Sequence, residues 1–133
     1  MIEQLAIYLE NRCGRVSDCC HVFKENDINL KYLSIADTTD FGILRVITSD
    51  NEKAKQVLKQ AGFVTTSVQL IAVKVNDTPG ELSSILNLFA ENNIDVSYLY
   101  SYKDSANTDI IAFKTNNEIK AIELLKGKNK EIL

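Results

Sequence analysis

Two short turns in the sequence have the composition of a site for a small anion. In each turn a glycine stands just before an apolar stretch with helical spacing. Backbone N–H groups at the start of such a helix have no partner within the helix and bind small anions well. The better-formed turn consists of Asn76, Asp77, Thr78, Pro79, Gly80, Glu81 and Leu82. An earlier, imperfect copy consists of Asn11, Arg12, Cys13, Gly14, Arg15 and Val16.

The two turns belong to an internal repeat that covers the chain. A shift of 80 − 14 = 66 positions lays Gly14 on Gly80 and also aligns Phe23 with Phe89. Alternating apolar residues predict strands and apolar residues at helical spacing predict helices, and each copy then has the order βαββαβ. This order predicts the α+β class, with two ferredoxin-like units that have antiparallel sheets and pack side by side. We expect the first domain at residues 1–67 and the second at 68–133.

Finer features of the helices can also be predicted. The first helix has an apolar stripe that includes Cys19, Cys20 and Phe23, so we expect all three in the core. The second helix of each copy is predicted to begin with a capping box, at Ser49 and at Thr115. Gly127 is predicted to mark the end of the last helix.

Composition excludes several classes of protein. The 133 residues are 45% hydrophobic and 25% charged, which is typical of a globular protein with a core. A net charge of −3 implies no basic surface for nucleic acid. No apolar run approaches the length of a membrane span, and three cysteines argue against a disulfide framework. We therefore expect a cytoplasmic protein that binds neither nucleic acid nor membrane.

The sequence carries no signature of catalysis. It has no phosphate-binding loop of the Walker type and no G-x-G-x-x-G motif. Its one histidine, His21, follows Cys20 directly on a helix, so the two side chains diverge and form no catalytic pair. We predict no enzyme activity, no cofactor and no metal site. A thiol or metal sensor built on Cys13, Cys19, Cys20 and His21 is an alternative that these residues leave open.

The chain resembles the ACT domain family. Residues 76–82, set in a βαββαβ unit, are similar to the strand–helix turn of that family, and residues 10–16 match apart from Cys13. Residues 34–45 also resemble stand-alone bacterial tandem-ACT proteins. The resemblance covers essentially the whole chain. It implies a non-catalytic regulator that binds an amino acid effector at the interface between ACT units. A second copy of the chain, in a homodimer, and a regulated enzyme or transcription factor are the partners that this role would involve.

The same resemblance implies ligand-binding positions. In the serine-regulated phosphoglycerate dehydrogenases, an asparagine in the turn and another before strand two contact the ligand. The matching positions are Asn11 and Asn29 in the first copy, and Asp77 and Asp95 in the second. An amide both donates and accepts hydrogen bonds, whereas an ionised aspartate only accepts, so two unequal pockets are predicted. The ligand carboxylate would lie on the N–H groups after the turn glycine, and the apolar strands favour an apolar amino acid.

Each candidate also has a purely structural explanation. The glycines would serve a tight turn, and Asn11 or Asp77 would cap a helix. Asn29 and Asp95 would be polar residues at a strand start, and the flanking arginines would be solvated. The alternative function is therefore a structural or protein-interaction module with vestigial pockets.

Overall fold

The computed structural model describes residues 1–10, 12–37 and 41–133. It has two compact units: Glu3–Val68, which we call the N-terminal unit, and Gln69–Leu133 with Met1–Ile2, which we call the C-terminal unit. The predicted α+β class, with βαββαβ given twice and antiparallel strand pairing, is confirmed.

The elements follow one another in the predicted order. In the first copy they are β1 (Ile2–Glu10), α1 (Arg15–Glu25), β2 (Leu30–Asp37), β3 (Phe41–Thr48) and α2 (Asn51–Gln60). They continue as β4 (Val64–Asn76), α3 (Glu81–Glu91), β5 (Val96–Lys103), β6 (Thr108–Thr115), α4 (Glu118–Gly127) and β7 (Glu131–Ile132). Strand β4 is one strand of 13 residues, where the repeat predicted two shorter ones. None of the helices in the described residues is long and apolar enough to span a membrane.

The core of the N-terminal unit lies between one face of its sheet and its two helices. Strand β3 pairs antiparallel with both β1 and β2, and Ile7 is opposite Leu44. Directly opposed residues in an antiparallel pair point to the same face, so Ile7 and Leu44 meet the buried faces of α1 and α2. Phe23 and Leu58 are the largest buried side chains that these helices contribute.

The C-terminal unit repeats this arrangement. Strand β6 pairs antiparallel with β4 and β5, and β7 pairs with β4. Phe89 of α3 contacts Phe113 of β6 edge to face, with ring centroids 5.4 Å apart and an interplanar angle of 75°. Ile85 and Leu125 complete the helix side of this core.

Two local predictions are wrong. Cys19 is buried as expected, but Cys20 is exposed, because the apolar stripe of α1 is narrower than the sequence indicated. Helices α2 and α4 are capped by Asp50 and Asn117, not by Ser49 and Thr115; the cap side chains accept hydrogen bonds from the N–H groups of the third helical residues. The predicted end of the last helix is confirmed, because Gly127 is the last residue of α4.

Candidate functional site

The turn before α3 is organised by the backbone conformation of Gly80. Strand β4 ends at Asn76, and α3 begins at Glu81 with Gly80 as its N-cap. Gly80 has φ +95°, a left-handed conformation that other residues adopt only with strain. The turn before it is held by two hydrogen bonds of 2.8 Å, from the N–H of Asp77 to the carbonyl of Asn107 and from the N–H of Thr78 to the carbonyl of Asn76.

The first turn of α3 presents backbone donors without a side-chain cap. The first intrahelical bond is donated by the N–H of Ser84 to the carbonyl of Gly80, at 2.9 Å. The N–H groups of residues 81–83 precede it and have no acceptor within the helix. No side chain caps Gly80 among the residues that the structure describes. These donors, at the positive end of the helix dipole, favour a carboxylate.

A cavity of about 220 Å³ adjoins this helix start. The turn and the helix contribute Asn76, Asp77, Thr78, Glu81 and Leu82, and the sheet contributes Val75, Leu99, Ser101, Asp109 and Ile111. Val75 is opposite Asp109, and Ser101 is opposite Ile111, so the sheet residues share the face that carries the helices. The cavity therefore combines helix N–H groups, three acids and an apolar floor.

Two of these acids, Asp77 and Asp109, share one lysine. Lys103 Nζ lies 2.5 Å from Asp77 Oδ2 and 3.0 Å from Asp109 Oδ1. Hydrogen bonding with Lys103, helped by its charge, holds the pKa of Asp77 below its usual value, and hydrogen bonding with Asp77 and Asp109 raises the pKa of Lys103. Asp77 is not the helix cap. The sequence predicted that Asp77 would bind the ammonium group of a ligand. In the structure its carboxylate instead pairs with the ammonium group of Lys103.

Pro79 and Glu81 lie on either side of Gly80, and the charge of Glu81 is paired within the protein. Glu81 accepts a hydrogen bond from Lys130 at 2.9 Å, and both side chains are about three-quarters buried. Pro79 restricts the backbone immediately before Gly80. The side chain of Leu82 is 37% exposed and lines the cavity, so it offers apolar surface to a ligand.

Asp95 lies at the far end of α3 from this cavity. Helix α3 has 11 residues, which corresponds to a length of about 16 Å. The N–H of Asp95 donates to Asn116 Oδ1 at 3.0 Å, and the N–H of Asn116 donates to the carbonyl of Asp95 at 3.1 Å. The C-terminal unit therefore does not bring Asp77 and Asp95 together, and the backbone of Asp95 fixes the start of β5.

The turn before α1 repeats the backbone of the later turn. Gly14 is the N-cap, with φ +85° and no side-chain cap among the described residues. The N–H of Asp18 donates to the carbonyl of Gly14 at 2.9 Å, as Ser84 does to Gly80. Asn11 lies outside the described residues. Cys13 is exposed, and Val16 is 39% exposed at the first turn of the helix.

Both arginines of the earlier turn have protein partners. Arg12 Nε lies 3.1 Å from Glu10 Oε2. Arg15 lies over the ring of Phe63, with its guanidinium carbon 4.0 Å from the ring centroid, and its Nη1 is 3.5 Å from Asp18 Oδ2. Only 14% of the Arg15 side chain is exposed, so it is a packing residue and not a solvated cation.

Asn29 lies beyond the opposite end of α1. Its N–H donates to Ser49 Oγ at 3.0 Å, and the N–H of Ser49 donates to its carbonyl at 2.9 Å. A separate cavity of about 260 Å³ adjoins Asn29 and is lined by Phe23, Lys24, Asp27 and Ile28 as well. Within the N-terminal unit, Asn29 is thus separated from the turn by the whole helix.

The cysteine and histidine cluster is dispersed. Cys19 is buried, and this burial raises its pKa to about 12, so its thiol stays protonated. His21 Nε2 is 2.9 Å from Glu25 Oε1 on the surface of α1. In the described part of the chain, no three His, Cys, Asp or Glu side chains are grouped so as to hold a metal ion.

Lys103, Asp109 and Leu99 are site residues that were not predicted from the sequence. Leu99 and Ser101 alternate along β5, so their common face could have been deduced from the strand period. Lys103 and Asp109 depend on the register of the β5–β6 hairpin, where they are opposite each other. Register depends on the geometry of the turn that joins the two strands, which the strand period does not reveal.

The fold and the turn geometry define a tandem pair of ferredoxin-like units with a glycine N-cap after the first strand of each. The whole chain, residues 1–133, matches the ACT domain pair family and belongs to it. The resemblance drawn from the turn motifs is confirmed.

Solved structures agree with this assignment. A protein from Bacteroides thetaiotaomicron is 34% identical, with a TM-score of 0.91 over 99% of this chain and 91% of that chain. The ligand-free regulatory subunit of aspartate kinase from Thermus thermophilus has a TM-score of 0.65 at 9% identity, over 94% of this chain and 91% of that chain. The corresponding subunit from Thermus flavus has a TM-score of 0.60 at 12% identity, over 93% and 88%. At such low identities the two subunits show the fold alone. No curated protein matches the chain in sequence.

Proposed function

We propose that this chain is a non-catalytic regulatory protein whose C-terminal unit binds a free amino acid. The observation that carries the proposal is the cavity at the start of α3. It places helix N–H donors, the carboxylates of Asp77 and Asp109, and an apolar floor within one small volume. A zwitterion with an apolar side chain needs these three features.

The ligand would be oriented by charge. Its carboxylate would accept from the N–H groups of residues 81–83, and its ammonium would lie at Asp77 and Asp109. Its side chain would contact Leu82, Leu99 and Ile111. At about 220 Å³ the cavity is below the range of roughly 300–1,000 Å³ that is typical of larger ligands, so a small or medium amino acid fits best.

The regulatory role follows from binding without chemistry. An effector that binds one arrangement of ACT units better than another shifts their equilibrium, and a partner enzyme or transcription factor would respond to the shift. The resemblance to ACT domains adds two further predictions: a neighbouring unit closes the pocket, and two chains form a homodimer in the cytoplasm.

A structural module with a vestigial pocket is the second candidate. The ion pairs of the cavity favour it, since Lys103 already pairs with Asp77 and Asp109 and Lys130 pairs with Glu81. In that case no ligand would be needed to neutralise the site.

Calorimetric titration with each common amino acid tests the proposal. At least one apolar amino acid is expected to bind, and Asp77→Ala should weaken it roughly tenfold, because a charged hydrogen bond is lost. Glu123→Ala removes an exposed charge on α4 of the same unit and should leave the affinity unchanged. Asn11→Ala should have a smaller effect than Asp77→Ala. Flat traces for every amino acid would favour the vestigial module.

A further inference from the structure

The cation that pairs with Asp77 and Asp109 in the C-terminal cavity is a lysine of the protein itself. Lys103 Nζ contacts Asp77 and Asp109 at the same time, and both acids line the cavity. A ligand ammonium placed on these oxygens would lie within a few ångströms of the lysine ammonium. Like charges at such a distance repel each other, so the two cations compete for one position.

Lys103 is able to leave that position. Its side chain is 59% exposed and that of Asp77 is 54% exposed, so the pair is largely solvated. Exposed ion pairs contribute little to stability, and a lysine has a long flexible stem with a strongly hydrated ammonium. Displacement of Lys103 into water therefore has a small but real free-energy cost.

The sequence of the N-terminal unit lacks a lysine at the matching position. In the C-terminal unit, Asp109 is opposite both Val75 and Lys103. In the N-terminal unit, Gly42 takes the place of Asp109, and it is opposite Leu9 and Asp37. Asp37 therefore has the register position of Lys103, and the sequence has an asparagine, residue 11, at the position of Asp77. The sequence therefore places a lysine at this register only in the C-terminal unit.

We propose that Lys103 is an internal competitor for the ammonium position of the C-terminal cavity and sets its affinity for α-amino acids. The inference rests on the proposed function of that cavity. Ligands that carry an α-ammonium must displace Lys103, and this competition weakens their binding. Ligands of the same shape that lack the ammonium gain nothing from its removal.

The test compares wild type with Lys103→Gln by calorimetry, using L-valine and the matching 2-hydroxy acid as probes. Lys103→Gln should tighten L-valine binding about fivefold, which is the upper range for an exposed pair. The 2-hydroxy acid should show no such gain. Lys103→Arg keeps the charge and should bind L-valine like wild type, and Lys126→Gln removes an exposed charge at the end of α4 as a control.

The outcomes separate the two claims. If wild type binds L-valine and Lys103→Gln binds it equally or more weakly, the competition is overturned while amino acid binding stands. An equal gain for the 2-hydroxy acid would also overturn it, since the effect would not depend on the ammonium. If neither protein binds any common amino acid, the proposed function itself fails. Circular dichroism of each variant verifies that the fold is retained.

Discussion

The two strand–helix turns share a backbone and differ in their charges. Gly14 and Gly80 have φ values of +85° and +95°, and each accepts the first bond of its helix at 2.9 Å. Around Gly80 the side chains form an acid–lysine–acid group at a cavity. Around Gly14 the arginines pair with Glu10 and Asp18 or pack on Phe63. A repeated backbone device therefore does not imply two equal binding sites.

A second pair of positions teaches the opposite lesson. Asn29 and Asp95 differ in side chain, yet each exchanges two hydrogen bonds through its backbone with a residue shortly before the second helix, Ser49 or Asn116. The main chain carries this contact, so amide and carboxylate are interchangeable there. Identity at these positions says little about a ligand within one unit.

The largest expected difference between the units concerns their cores. Phe23→Ala and Phe89→Ala should each cost about 3–5 kcal/mol in the free energy of unfolding, because each leaves a cavity at a buried position. Phe89→Ala should cost about 1 kcal/mol more, since it also loses the edge-to-face contact with Phe113. Urea unfolding followed by circular dichroism measures both free energies of unfolding, with Phe23→Leu and Phe89→Leu as controls. Equal costs would show that the aromatic pair adds nothing.

The turn glycines should behave alike. Gly14→Ala and Gly80→Ala should each cost about 1–2 kcal/mol, since alanine is strained at a left-handed φ even where no atom lies within 4 Å of the added Cβ. Gly127→Ala, within the last turn of α4, should be neutral or stabilising by up to about 1 kcal/mol. The same unfolding assay applies. If Gly80→Ala left the free energy of unfolding unchanged, backbone conformation would not explain why a glycine is present in this turn.

Alkaline pH should distinguish the N-terminal unit. Burial raises the pKa of the Cys19 thiol from its ordinary value of 9.0 to about 12 in the folded chain, so the unfolded chain releases its proton first. Stability should therefore fall as pH rises above about 9, by about 1 kcal/mol at pH 10. Cys19→Val places an apolar side chain at this position, as Ile85 does in the other unit. Between pH 8 and pH 10 this variant should lose about 1 kcal/mol less stability than wild type. An equal loss in both proteins would refute a buried thiol.

Much of the fold could be predicted because its causes are local. The glycine turns, the apolar period of each strand and helix, and the 66-residue shift lie in the sequence itself. Where competing local choices exist, prediction failed: Asp50 outcompeted Ser49 as the cap of α2, and Cys20 lies just outside the buried stripe of α1. These errors concern one residue each, because capping and burial change within a single turn.

The site was less predictable because it depends on contacts distant in sequence. The turn residues were found, but their electrostatic state depends on Lys103, which is 26 positions from Asp77. The packing of Arg15 over the ring of Phe63 is likewise a tertiary contact that no local pattern indicates. Helix length explains why Asp77 and Asp95 do not meet within the C-terminal unit.

The most direct test of amino acid binding at the C-terminal turn is a backbone NMR titration with L-valine. We predict that the amide signals of Glu81, Leu82 and Ser83 shift with a common saturation curve, while those of Arg15, Val16 and Ser17 shift less. Shifts confined to the earlier turn, or none in either turn at saturating L-valine, would contradict amino acid binding at the C-terminal turn.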